Sequence, residues 1–82
     1  MPSVVRSRLA EDDLLEIWHY IAQDNPRAAD RVLTRIQRAL DLLARNPLIG
    51  PARPDLREGL RYFASGHYLI LYSAHDDGIM VV

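Results

Sequence analysis

The order of local signals predicts an α+β fold: an N-terminal strand, an antiparallel helical hairpin and a three-stranded antiparallel meander, β-α-α-β-β-β. Three observations predict it. Apolar residues recur every three to four positions between Ala10 and Arg45, with one interruption at "QDNPRAAD". "LRYFA", "YLILYSA" and "IMVV" then follow as strand-like runs separated by the short turn signals "SGH" and "HDDG". A brief "SVVRSR" precedes the first helical period.

In chain order, residues 3–8 form a short strand with Val4 and Arg6 on one face and Val5 and Ser7 on the other. From Ala10, Leu14, Ile17, Trp18 and Ile21 make the apolar stripe of a first helix. Glu11, Asp12 and Asp13 stand in its first turn, where free N–H groups favour acid. Asn25 is a good N-cap, and Pro26 fits the first helical position because its missing N–H costs nothing there. The second helix runs to about Arg45, with Ala29, Val32, Leu33, Ile36, Leu40 and Leu43 as its apolar stripe. A tight turn between two such helices predicts an antiparallel hairpin.

Pro47, Pro51 and Pro54 exclude helix from "ARNPLIGPARPDLREG", and Leu48, Ile49 and Leu56 are expected to pin this loop to the core. The apolar run Tyr68–Tyr72 predicts a central strand covered on at least one face. Asp-Gly in "HDDG" predicts a hairpin through its tolerance of positive φ. "IMVV" is a short strand at an extreme terminus, expected to be fragile. Either the natural chain ends tersely at Val82, or the single domain at 1–82 is truncated at its C-terminus.

Size limits what such a chain does alone. At 82 residues and 9.4 kDa, surface scaling gives about 5,000 Å² folded against about 13,600 Å² extended, a burial near the lower limit for independence. Two helices and one small sheet cannot cover Leu15, Ile17, Trp18 and Ile21 together with both sheet faces, so an apolar patch is expected to stay open as an interaction site. For Trp18 itself, core packing and a partner groove both remain open.

Composition removes several chemistries. Without cysteine there is no disulfide, no thiolate nucleophile and no cysteine-based metal site. The three histidines, His19, His67 and His75, have no ligand spacing on one element, so no metal and no cofactor are expected. Asp12, Asp13 and Glu16 read as exposed, and neither Ser65 nor Ser73 sits in a nucleophile turn. No signal peptide or membrane span is evident, and a cytoplasmic, membrane-independent protein is the default reading.

Charge is unevenly placed. Residues 1–24 carry two arginines against five acids, whereas residues 25–61 carry eight arginines against four acids. All ten basic residues are arginine, which binds carboxylate or phosphate in a rigid fork. A GC-rich coding sequence gives the same bias, so the arginines by themselves leave three readings: docking to an acidic protein, solvated or internal ion pairs, and nucleic-acid contact. Arg53, Arg57 and Arg61 beside Tyr62, with Tyr68 and Tyr72 on the next strand, are the sharpest candidate cluster. With His67 or His75 as acid or base, such a cluster would suit metal-independent RNA cleavage. Tyr68 and Tyr72 share a face with Ile70, which equally suits a core or helix-facing role.

Three pieces, "DLLEIWHYIA", "NPRAADRVLTRIQRALDLLARNPLIG" and "RPDLREGLRYFASGHYLILY", occur in the order found in the ParE branch of the RelE/ParE toxin superfamily, which this chain resembles over residues 9–82. The resemblance implies the toxin of a type II toxin–antitoxin pair. It implies inhibition of DNA gyrase by protein–protein binding and neutralisation by a ParD-like antitoxin. Hetero-oligomers with an antitoxin dimer would touch operator DNA only through the antitoxin. The antitoxin arm is expected to contact Leu14, Trp18 and Ile21, then Arg31, Arg35 and Arg38, and Tyr68 with Tyr72. Arg53, Arg57 and Arg61 are expected to meet the target, and no residue is catalytic. The alternative is a RelE-like ribosome-dependent mRNA endoribonuclease, whose basic catalytic residues fall where Arg53, Arg57 and Arg61 stand. That branch also uses lysines, and this chain has none. In ParE relatives the last strand usually continues through an arginine and a histidine, which residues 1–82 lack.

Overall fold

Local capping sets the helix starts. In the computed structural model, which describes residues 2–82, the Ser7 hydroxyl accepts a hydrogen bond from the Ala10 N–H at 3.0 Å. This starts α1 at Arg8 and carries it to Ala22, two residues earlier than the apolar period suggests. Glu11 is consequently the acid left in the first turn. Asn25 accepts from the Ala28 N–H at 3.1 Å, and Pro26 opens α2, which ends at Arg45 as the periodicity predicts.

The remaining elements are β1 (Ser3–Arg6), β2 (Leu60–Ser65), β3 (Tyr68–His75) and β4 (Gly78–Val81). They form one sheet in the order β1-β4-β3-β2. β2, β3 and β4 are the expected antiparallel meander, and β1 returns to pair in parallel with β4. The terminal strand is thus interior and hydrogen-bonded on both sides, which corrects the expectation of a fragile end. Its partner β1 lies more than 70 residues upstream, beyond the reach of any local pattern.

Gly78 marks where those two strands meet. A side chain there would collide with the backbone of Ser3, and its φ of 151° suits glycine. The hairpin expected at "HDDG" forms, closed by the His75–Gly78 pair, and Gly78 is its residue of positive φ while neither Asp76 nor Asp77 has one.

Residues opposite one another in the register share a face. Ile70, Tyr72, Ile79 and Val81 point at the helical hairpin and meet Ile36, Leu40 and Leu43 of α2 in the core. The opposite face carries Val5, Leu69 and Met80, all exposed. The molecule measures 38 × 29 × 21 Å and exposes 5929 Å², above the roughly 5,000 Å² expected for its mass.

Candidate functional site

The arginine-bearing helix positions a cationic row. Arg27, Arg31, Arg35 and Arg38 are spaced by three or four residues on α2 and all are exposed. Among the described residues the one ion pair within 4 Å is Arg53–Asp55, so this row has no internal carboxylate partner at that distance. Arg31, Arg35 and Arg38 line one shallow cleft together with Asp30 and Thr34. Asp30 is already engaged, because its carboxylate accepts the Trp18 indole N–H at 2.9 Å.

That bond also fixes the neighbouring apolar groove. Leu14, Leu15, Trp18 and Leu33 line a depression of about 420 Å³ between the helices, with Arg6, Glu11 and Gln37 around it. Trp18 is half-buried, and its ring meets His19 edge-on at 5.4 Å. Apolar groove and arginine cleft join across the Trp18–Asp30 bond. This is the geometry of a surface that accepts an amphipathic, acidic chain segment.

The expected antitoxin residues distribute as follows. Leu14 and Trp18 converge in the apolar groove, and Arg31, Arg35 and Arg38 in the cleft. Ile21 is half-buried on α1 and lines neither. Tyr68 stands in a separate opening between α1 and the sheet, with Leu14 and Ile17. Tyr72 has to be withdrawn from the surface. It is 0% exposed, and its hydroxyl accepts the Gly50 N–H at 2.9 Å while donating to the Pro47 carbonyl at 2.7 Å. The pattern that put it on one strand face with Ile70 left a core role open beside the surface one, and the core role is what it has.

Arg53, Arg57 and Arg61 do not form one cluster. The Arg61 guanidinium points to the helix side, where it donates to the carbonyls of Gly50 at 2.7 Å and Leu48 at 3.4 Å. Arg53 lies over the Tyr62 ring at 5.8 Å, on the other face, because adjacent strand residues alternate. Its fork holds Asp55 through two bonds of 2.9 and 2.8 Å. That bond holds the Asp55 carboxyl below, and the Arg53 guanidinium above, their ordinary values. Arg57 is exposed in the loop. The convergent basic site that RNA cleavage asks for is not assembled by these three side chains. His75 approaches Ser73 at 3.1 Å, but the contact is solvent-exposed.

One other expectation changes. Leu48, Ile49 and Leu56 are exposed and do not pin their loop; Tyr72, Arg61 and the bridge between Ala52 and Arg61 do so instead. Tyr20 and Leu9 on α1 are also strongly exposed, and both lie off the Leu14, Ile17, Trp18 and Ile21 stripe.

No group of three or more His, Cys, Asp or Glu side chains with metal-holding geometry occurs among the described residues. No described helix is long and apolar enough to cross a membrane.

Known sequences supply an independent line. Toxin ParE3 of Caulobacter vibrioides is 29% identical over 83 residues, spanning 100% of this chain and 83% of the relative. Toxin ParE1 of the same organism is 35% identical over 68 residues, 80% of this chain and 70% of the relative. The family model described as ParE toxin of type II toxin-antitoxin system, parDE, matches residues 4–82. With a match from the first strand to the last residue, and a helical hairpin on a four-stranded sheet, this chain belongs to the ParE toxin family of type II toxin–antitoxin systems.

Proposed function

We infer that this toxin acts by binding proteins and not by catalysis. In this reading its neutralising partner is a ParD-like antitoxin whose acidic, amphipathic arm lies across the hairpin, and its target is DNA gyrase in the cytoplasm. The observation that carries the antitoxin assignment is the cation row Arg31, Arg35 and Arg38, without carboxylate partners within 4 Å, running beside the Trp18 groove. Apolar side chains of the arm would fill the space between Leu14, Leu15 and Trp18, and its carboxylates would meet the arginines. Arg57, exposed in the loop, and Arg53 remain on the target side; Arg61 contributes by holding that loop.

The test uses the protein encoded beside the toxin gene. Charge reversal at Arg31, Arg35 and Arg38 should weaken binding at least about tenfold and flatten its salt dependence. Unchanged affinity and salt slope would remove the arm from this face. Purified gyrase, assayed for supercoiling and for cleaved-DNA complexes, tests the target. Full supercoiling with excess toxin, alongside cut transcripts in a ribosome-containing extract, would replace gyrase inhibition with RNA cleavage.

A further inference from the structure

Two exposed helix stripes share one spacing and carry opposite charge. On α1, Leu9, Asp13, Glu16 and Tyr20 are all exposed and recur at intervals of four, three and four residues. On α2, Arg31, Arg35, Arg38 and Leu42 are all exposed and recur at the same intervals. Such a repeat makes the seam of a two-helix contact, in which side chains meet layer by layer. Laid antiparallel, the stripes match at every layer: Leu9 with Leu42, Asp13 with Arg38, Glu16 with Arg35, and Tyr20 with Arg31. The last layer sets a guanidinium on an aromatic ring.

One chain cannot make this match for itself. The groove between the helices is lined by Leu15 and Trp18 of α1 and by Leu33 and Gln37 of α2. At about 100° per residue, each stripe lies roughly 150° round its helix from that groove, on the outer flank. None of these acids and arginines has an opposite charge within 4 Å among the described residues. Asp30, the acid inside the arginine cleft, holds the Trp18 indole.

We propose that without its antitoxin this toxin self-associates head to tail, the α1 stripe of one copy covering the arginine stripe of the next. Opposite charge in matching register is what selects a second copy as the occupant. The contact is heterologous: each junction leaves one free stripe at either end, so copies add without closing at a dimer. Only the Leu9–Leu42 layer is wholly apolar, so the association is weak and screened by salt. The α1 acids take the arginines assigned above to the antitoxin arm, and the arm would displace the second copy. The proposal goes beyond that reading and depends on it only for this competition.

Sedimentation velocity of the purified full chain, over a concentration series at low and high salt, reads the association. Wild type should form faster species as concentration rises, and about 1 M salt should weaken them at least tenfold. Asp13→Arg/Glu16→Arg and Arg35→Glu/Arg38→Glu should each stay monomeric, because like charges then face each other. All four positions are exposed, so thermal unfolding should stay near wild type. Mixed in equal amounts, the two variants meet with opposite charges at every junction and should associate again. A wild-type chain that stays monomeric up to about 1 mM at low salt overturns the proposal. Association that survives either reversal, or that does not return on mixing, also overturns it. Where a reversal fails to fold, Asp13→Asn/Glu16→Gln removes the same charges and should weaken association at least about tenfold; unchanged association overturns the proposal. Binding of the co-encoded antitoxin separates the two readings. If Arg35→Glu/Arg38→Glu loses self-association but binds antitoxin as wild type does, the arm is not on this row and self-association stands. If it loses antitoxin while wild type never self-associates, the arm stands and self-association falls.

Discussion

The indole N–H of Trp18 donates to the carboxylate of Asp30 at 2.9 Å, tying the middle of α1 to the first half of α2. The bond occupies the acid closest in sequence to the arginine row. Trp18→Phe keeps an aromatic ring in the groove and removes the donor. Asp30 is exposed and can rehydrate, so the loss should be about 0.5–1.5 kcal/mol in urea unfolding. Asp30→Asn retains an acceptor for the indole and should cost less. A larger effect from Asp30→Asn than from Trp18→Phe would show that the carboxylate charge matters more than the indole bond.

Tyr72→Phe tests the buried latch. The substitution keeps the ring and strands the Gly50 N–H and the Pro47 carbonyl, at a cost of about 1–3 kcal/mol. For a domain of this size that lowers Tm by about 4–8 °C per kcal/mol. Gly50→Ala drives a methyl into the Tyr62 carbonyl and the Tyr72 ring, and should cost about 1–3 kcal/mol through strain. Because both act on one contact, the double variant should fall short of the sum of the singles. Full additivity in thermal melts would mean that the Tyr72 hydroxyl and Gly50 do not act together.

These latch residues also separate what was legible in the sequence from what was not. Asn25–Pro26 and the stripe ending at Leu43 place α2 correctly because caps and periodicity are local. The meander was legible for the same reason. The parallel pairing of β1 with β4 was not, since Ser3 and Gly78 meet only through the whole fold. Arg53, Arg57 and Arg61 look like one cluster in sequence, yet strand alternation and the loop path send Arg53 and Arg61 to opposite faces. Leu48 and Ile49 were expected inside because they are apolar; what keeps them out is a tyrosine more than 20 residues away. That Leu14 and Trp18 share one groove, and Arg31, Arg35 and Arg38 one cleft, was legible because a helix face can be read from spacing alone.

Asp55 provides a pH test. The hydrogen bond from Arg53 lowers its pKa. A group whose folded pKa is depressed contributes stability above its unfolded value and loses it as pH falls through the folded one. The Arg53–Asp55 contact should therefore be complete at neutral pH and open only below the usual carboxylate range. Carboxyl-carbon NMR titration should place Asp55 below the other exposed aspartates, and Arg53→Ala should return it to their range. Both groups are exposed, so global stability should barely change. An Asp55 that titrates with its neighbours in the wild-type chain would mean that the pair is not formed in solution.

β4 offers a clear contrast between neighbours. Ile79 is 1% exposed and pairs in the sheet with Val4 and Ala74, while Met80, next in sequence, is 39% exposed on the uncovered face. An interior strand buries one side of this alternation against α2; a frayed terminal strand would bury neither. Ile79→Ala should cost about 2–5 kcal/mol through lost transfer energy and the cavity left among the core side chains. Met80→Ser should cost well under half of that, since its side chain is already partly in water. Urea unfolding of the two variants reads the difference directly. Near-equal, small losses would mean that β4 is not held between β1 and β3, and the parallel pairing that completes the sheet would have to be abandoned.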